Sequence, residues 1–203
     1  MLSSKIDQII YMNKHKLIKQ ARELDKEAKS VLKDTNLIKL LSKHGKVEIV
    51  GSLALGLLVW RDIDIDVVMD KSFDTDKYFQ TVMKLFRHKN IKDLRLIDNR
   101  TSFESNRPKS MYIGVFYQKH GSEKWKIDIR FVHIKDAYAL DYLNEIRSKL
   151  DEKNRLNILK IKEAVYTHPL YGKEFSSVDI YSAVLDKGIT TKKEFFRYIQ
   201  LSK

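Results

Sequence analysis

The sequence contains no cysteine, which excludes disulfides and every thiolate metal site. No apolar run approaches the ~20 residues that cross a bilayer, and the opening Met1 to Ile10 is too polar for the hydrophobic part of a secretory signal. A reducing cytoplasm is therefore the expected address, and no membrane association is expected. Internal repeats and long linkers are also missing. The six histidines, His15, His44, His88, His120, His133 and His168, are scattered and match no ligand spacing, so a zinc site is not expected.

The 203 residues are 43% apolar, with ten Tyr, nine Phe and two Trp. That is a globular composition, sufficient for one packed domain or for a catalytic core with a small helical addition. Lys and Arg number 39 against 27 Asp and Glu, a formal charge of +12. Such an excess favours polyanions such as triphosphates, nucleic acid or acidic surfaces. Lysine dispersed over solvated positions accounts for it equally well, so charge alone does not choose a substrate.

Apolar residues at Leu17, Ala21, Leu24, Ala28, Val31 and Leu32 predict an amphipathic helix over 17–32. A shorter helix is expected over 35–43, ending near Gly45 through a left-handed glycine. Strands are expected over 46–51, 62–69 and 92–97, with a turn at Gly51–Ser52 and a short segment over 53–59. A helix over 75–89 would be capped by Asp74 and would bury Phe79, Val82, Met83 and Phe86. Strands over 111–118 and 124–133 form a hairpin closed through Gly121. Helices follow over 134–150, 153–166, 177–185 and 191–201, with a break at His168–Pro169, and Thr191 and Glu194 have capping-box spacing. The expected fold class is α/β (α+β), a mixed sheet flanked by helices. Residues 1–133 would form the core and 134–203 a helical segment, either separate or packed as one unit with it.

The informative stretch runs from Val47 to Met69. In Asp62-Ile63-Asp64-Ile65-Asp66, alternation places three aspartates on one face of a strand and the branched residues on the other. Desolvated, unpaired carboxylates are strongly unfavourable, so something must compensate them. Side chains two apart on a strand are separated by about 6.6 Å and run parallel. Asp62 and Asp64 could thus reach around one or two Mg2+ ions, which prefer carboxylate and phosphate oxygens. Asp128, in Trp125-Lys126-Ile127-Asp128-Ile129-Arg130-Phe131, occupies a similar setting, and a neighbouring strand would bring it to the same edge. Gly51 allows close approach of backbone to a phosphate, while Ser52 offers a hydroxyl at the start of the following turn. A solvated amphipathic edge strand would explain the alternation, but not the Gly-Ser turn or Asp128.

A hydrophobic residue, Gly-Ser, nine intervening residues, then Asp-hydrophobic-Asp and a later acidic strand residue resembles the pattern of the polymerase-beta-like nucleotidyltransferase superfamily. The likeness covers about residues 46–133. It implies a magnesium-dependent enzyme in which Asp62 and Asp64 hold Mg2+ on a nucleoside triphosphate. Asp64 and Asp66 also satisfy the spacing; with the first pair as ligands, Asp66 becomes a supporting or acceptor-side carboxylate. Asp128 would bind a second metal or act as general base on an acceptor hydroxyl. Arg61, Lys126 and Arg130 are the candidates to meet phosphates, Arg130 foremost because it shares the face of Asp128. Trp60 and Trp125 read first as packing residues, with stacking on a base as the alternative. Arg107, Pro108 and Lys109 read as a basic loop.

The segment Trp60 to Asp66 resembles lincosamide and aminoglycoside nucleotidyltransferases, which implies transfer of AMP from ATP to a small hydroxylated acceptor such as an antibiotic. The basic charge sits poorly with a cationic aminoglycoside. Transfer to RNA such as tRNA is the alternative acceptor, and an inactive nucleotide-binding or interaction module is the alternative class.

Overall fold

The computed structural model describes residues 2–100 and 109–201. The chain divides into two compact units that interleave along the sequence. One comprises Met1–Asp25, Gly56–Trp60 and Asn144–Lys203; the other comprises Lys26–Leu55 and Arg61–Leu143.

The second unit is built on five strands: β1 (Lys46–Val50), β2 (Asp62–Met69), β3 (Ile91–Asp98), β4 (Ser110–Tyr117) and β5 (Trp125–His133). Their order is β1-β2-β5-β4-β3, with β2 and β5 parallel and every other pair antiparallel. Period-two alternation dictates which face is buried. Ile65, Ile129 and Ile113 lie side by side across three strands, as do Ile63, Ile127 and Val115. All six are at most 1% exposed, so these rows form the apolar side of the sheet.

Helix α1 (Leu2–Asp34) begins well before the expected start at Leu17; its Ala21, Leu24, Ala28 and Val31 are buried as the periodicity requires. Its C-terminal residue Asp34 accepts hydrogen bonds from Asn90 Nδ2 at 2.9 Å and the Tyr117 hydroxyl at 2.8 Å. These donors hold its carboxyl below the ordinary carboxylate range. Helix α2 (Leu37–Leu41) is shorter than expected, and the left-handed residue beside it is Asn36, with φ 48°. Gly45 is not in that region. Its role is steric, because a Cβ there would lie 2.2 Å from the Val68 carbonyl oxygen.

Helix α3 (Gly51–Leu55) fills the turn after β1, and α4 (Thr75–Phe86) starts at the expected Asp74 cap, whose side chain accepts from Lys77 N. The buried face of α4 differs from expectation. Tyr78, Thr81, Val82 and Leu85 are inside, whereas Phe79, Met83 and Phe86 are 49%, 47% and 70% exposed. Both stripes have helical spacing. The observed rotation packs Tyr78 on Phe131 and lets its hydroxyl donate to the Tyr112 carbonyl. The hairpin of β4 and β5 turns through Gly121 at φ 74°. The helix expected from Ile134 is instead a 3-10 turn, Ile134–Asp136, followed by α5 (Ala139–Lys149). Arg107 and Pro108 lie outside the described residues; Lys109 is exposed.

The other unit takes the first part of α1 and the end of α5, and wholly contains α6 (Glu152–Val165), α7 (Ser177–Leu185) and α8 (Lys192–Leu201). Asp151 caps α6, Ser176 and Asp179 form a capping box on α7, and Thr191 with Glu194 exchange the expected capping bonds on α8. Ile158, Ile161, Ile180, Val184 and Phe195 fill the space between them. Within this unit Trp60 stacks on Tyr166 at 5.5 Å and meets the edge of Tyr171. The wholly buried Lys162 sets its ammonium 4.8 Å over the same indole.

Candidate carboxylate site

The polar face of the sheet belongs wholly to the second unit. The parallel register of β2 and β5 aligns Asp62 with Lys126, Asp64 with Asp128, and Asp66 with Arg130. Two of these three rows join opposite charges. The middle row puts two carboxylates side by side, an arrangement that costs stability unless a cation answers it.

The two cations are engaged unequally, Arg130 with Asp66 of its own row and Lys126 most closely with Asp128 of the middle row. Arg130 donates from Nε and Nη2 to the two oxygens of Asp66, both at 2.9 Å, a fork onto a side chain that is only 3% exposed. Burial pushes the Asp66 carboxyl above its ordinary pKa, and Arg130 works in the opposite direction. Lys126 reaches Asp128 Oδ2 at 2.5 Å and lies 3.6 Å from Asp62 Oδ1. Burial would lower its pKa, but Asp62, Asp128 and Asp64 together hold it above the usual lysine value.

Asp64 carries the unresolved charge. Burial first, then Asp62 and Asp128, push its carboxyl up to about 7, with Lys126 and Arg130 only partly opposing them. Its position depends on Gly51, which has φ 64°; a Cβ on Gly51 would lie 2.2 Å from Asp64 Oδ2. The glycine is therefore required twice, for its left-handed backbone and for the space that the carboxylate occupies. Ser52 follows at the start of α3, 8% exposed.

Sequence reasoning missed Tyr112. Its hydroxyl donates to Asp128 Oδ1 at 2.6 Å. It can do so because Gly114, the residue paired with Asp128, has no side chain, and a Cβ there would lie 2.6 Å from the Tyr112 hydroxyl oxygen. The signal was Tyr-x-Gly on the strand beside Asp128, legible only once that pairing is known. Arg61 is turned elsewhere, donating to Glu27 Oε2 at 2.9 Å and Oε1 at 3.2 Å. Trp125 is 3% exposed and belongs to the packing.

Thus Gly51, Asp62, Asp64, Asp128, Lys126 and Tyr112 converge, whereas Asp66 and Arg130 form their own pair and Arg61 pairs with Glu27. Among the described residues no three His, Asp or Glu groups surround a ready-made metal position. The donor set nonetheless fits Mg2+: it is all hard oxygen, it includes a like-charged row, and such sites are completed by substrate oxygens rather than by the protein alone.

No protein-family model and no curated sequence matches the chain. Its fold does match solved structures. A mutant of the Cid1 poly(U) polymerase bound to MgATP superposes with a TM-score of 0.60 at 20% identity, over 88% of this chain and 56% of that one. A cytoplasmic RNA terminal U-transferase gives 0.58 at 23% identity, over 87% and 56%. Cid1 in complex with its short product ApU gives 0.55 at 20%, over 86% and 55%. The chain spans little more than half the length of these structures, and it shares their mixed-sheet fold.

Proposed function

We propose that the chain transfers a nucleoside monophosphate from a nucleoside triphosphate to the terminal hydroxyl of an RNA, releasing pyrophosphate. The observation that carries this reading is the convergence of Asp62, Asp64 and Asp128, three carboxylates against which Lys126 sets one ammonium. Asp62, Asp64 and Asp128 would hold Mg2+, which when bound supplies the positive charge that draws a triphosphate to these carboxylates. The fork between Asp66 and Arg130 favours Asp62 and Asp64 over Asp64 and Asp66 as the ligand pair.

The chain's own groups then have distinct tasks. Gly51 fixes where the Asp64 oxygens lie, and Ser52 offers a hydroxyl beside the phosphates. Tyr112 fixes the Asp128 carboxylate so that one oxygen faces the acceptor hydroxyl, to accept its proton or orient it. Lys126, already against Asp62 and Asp128, is placed to shift toward phosphate oxygens when these carboxylates take a cation. The acceptor oxygen then attacks the α-phosphorus in line with the departing pyrophosphate.

RNA is favoured as acceptor by the +12 charge and by the fold relatives, whose names describe RNA substrates or products. A small hydroxylated acceptor, such as a lincosamide, is the second reading and rests on the likeness of the Trp60 to Asp66 segment. One experiment separates them. Each labelled nucleoside triphosphate is supplied with Mg2+ against RNA, lincosamide and aminoglycoside pools, and product masses are read. Extended RNA is expected; labelled drug would replace the acceptor, and no product from any pool would remove the activity.

A further inference from the structure

Away from the carboxylates, the second unit carries a groove between α2 with its following turn and α4. Two adjoining hollows make it up. One of about 250 Å3 lies among Lys39, Lys43, Lys84 and His88; the other, of about 680 Å3, lies among Lys43, His44, Lys71, Phe73 and Lys77. Lys43 lines both. His44 Nε2 lies 2.8 Å from the Thr81 hydroxyl, fixing the turn onto α4. Lys77 and His88, which line the two hollows, are separated by about 16 Å along α4, long enough to meet several phosphates of a single strand.

The charge in this groove is one-sided. Lys39, Lys43, Lys71, Lys77 and Lys84 are all exposed, and the lining acids are Asp70 and Asp74. Asp74 is already engaged, since it caps α4 and lies 3.3 Å from Lys77 Nζ. At the wider end Phe73, half-buried, is held against Tyr78 and Phe131 with the Arg100 guanidinium 4.6 Å over its ring. A guanidinium stacked on a fixed ring and partly open to solvent, beside a track of flexible ammonium groups, suits a polymer that alternates flat bases with phosphates. An acidic peptide would find the lysines but would make no use of the ring.

We propose that this groove binds the phosphate backbone of single-stranded RNA, holding the acceptor strand away from the end that reacts. It rests on the RNA-acceptor reading for its biological sense, but RNA binding can be measured without any transfer.

The test uses the full chain, without nucleotide and with EDTA present, and a fluorescent twelve-nucleotide single-stranded RNA followed by anisotropy over a range of salt. The variant replaces Lys43, Lys71 and Lys84 with Gln, and a matched variant replaces the same three with Arg. Each lost phosphate contact on a single strand lowers the salt slope by about 0.7, so the Gln variant should lose about 2 from the slope and bind roughly fifty-fold more weakly at 0.15 M salt. The Arg variant should bind like the parent, which separates lost charge from lost folding. Transfer to a dinucleotide, too short to reach the groove, should be unchanged in the Gln variant. A parent chain that does not bind the RNA, or a Gln variant with an unaltered slope, overturns the groove. So does a variant that loses poly-glutamate binding while keeping RNA. If the parent binds RNA through these lysines yet extends only a small molecule, the groove stands and the acceptor reading falls.

Discussion

Replacing Asp64 by Asn should remove nucleotidyl transfer and at the same time make the metal-free protein more stable, by an amount that depends on pH. The folded carboxyl titrates at about 7 against an ordinary 3.8. At about 1.36 kcal/mol per pH unit this corresponds to at most about 4 kcal/mol. Because part of the shift comes from the neighbouring charges of Asp62 and Asp128 and the side chain is partly open to solvent, about 2 kcal/mol is the working figure. Below about pH 4 the acid is protonated in folded and unfolded chains alike, and it costs nothing. Between pH 4 and 7 the unfolded chain releases its proton while the folded one retains it, so the cost grows with pH; above about 7 it is constant. Asn carries no such charge. The advantage of Asp64→Asn in urea unfolding with EDTA should therefore be near zero at pH 4, rise through pH 6 and level off above pH 7. Added Mg2+ should raise the thermal midpoint of the parent and leave that of the variant unmoved. A variant that is less stable than the parent at pH 8, or equally shifted at every pH, would refute the electrostatic reasoning. Full retained transfer would refute the role of Asp64.

Tyr112→Phe should lower kcat for transfer about ten-fold with little change in the KM for nucleotide, since it releases one oxygen of Asp128 without touching the Asp62–Asp64 pair; steady-state kinetics with a short RNA acceptor decides it. Arg130→Ala should cost about 3 kcal/mol in urea unfolding by stranding the buried Asp66 carboxylate, and adding Asp66→Asn should recover much of that loss; additive losses in the double variant would contradict the pairing. Gly51→Ala should abolish transfer and lower stability by about 2 kcal/mol, because the new methyl meets both a left-handed backbone and the Asp64 carboxylate; unaltered activity would show that this close approach is dispensable.

Much of the site was legible because strand alternation has a single possible outcome once one face is apolar. Ile63, Ile65 and Val67 had to be buried, which sent Asp62, Asp64 and Asp66 to the other side, and Ile127 with Ile129 fixed Asp128 in the same way. Which cation answers which carboxylate depends on inter-strand register, and a single strand's pattern does not contain it. The pattern thus offered Arg130 as a candidate to meet phosphates without showing its fork onto Asp66, and Tyr112 went unnoticed. Helix α4 shows a different limit. Apolar residues occupy two of its faces at equal spacing, so periodicity establishes the helix but not its rotation. Arg61 read as a phosphate candidate for its place beside Asp62; its partner Glu27 is 34 positions away in sequence, beyond any local rule.

The interleaving of the two units governs what can be made from this chain. Passage from one unit to the other occurs after Asp25, Leu55, Trp60 and Leu143, so neither unit is one continuous stretch of polypeptide. Cutting at 143/144 would strip the helical unit of α6 to α8 and leave its other two pieces behind as orphans within the remaining fragment. Five of those orphaned residues, Gly56 to Trp60, lie between the Gly51 turn and Asp62. A shortened fragment carrying the carboxylates should for that reason be troublesome to produce, and rearranging the chain order would be a sounder engineering route than truncation.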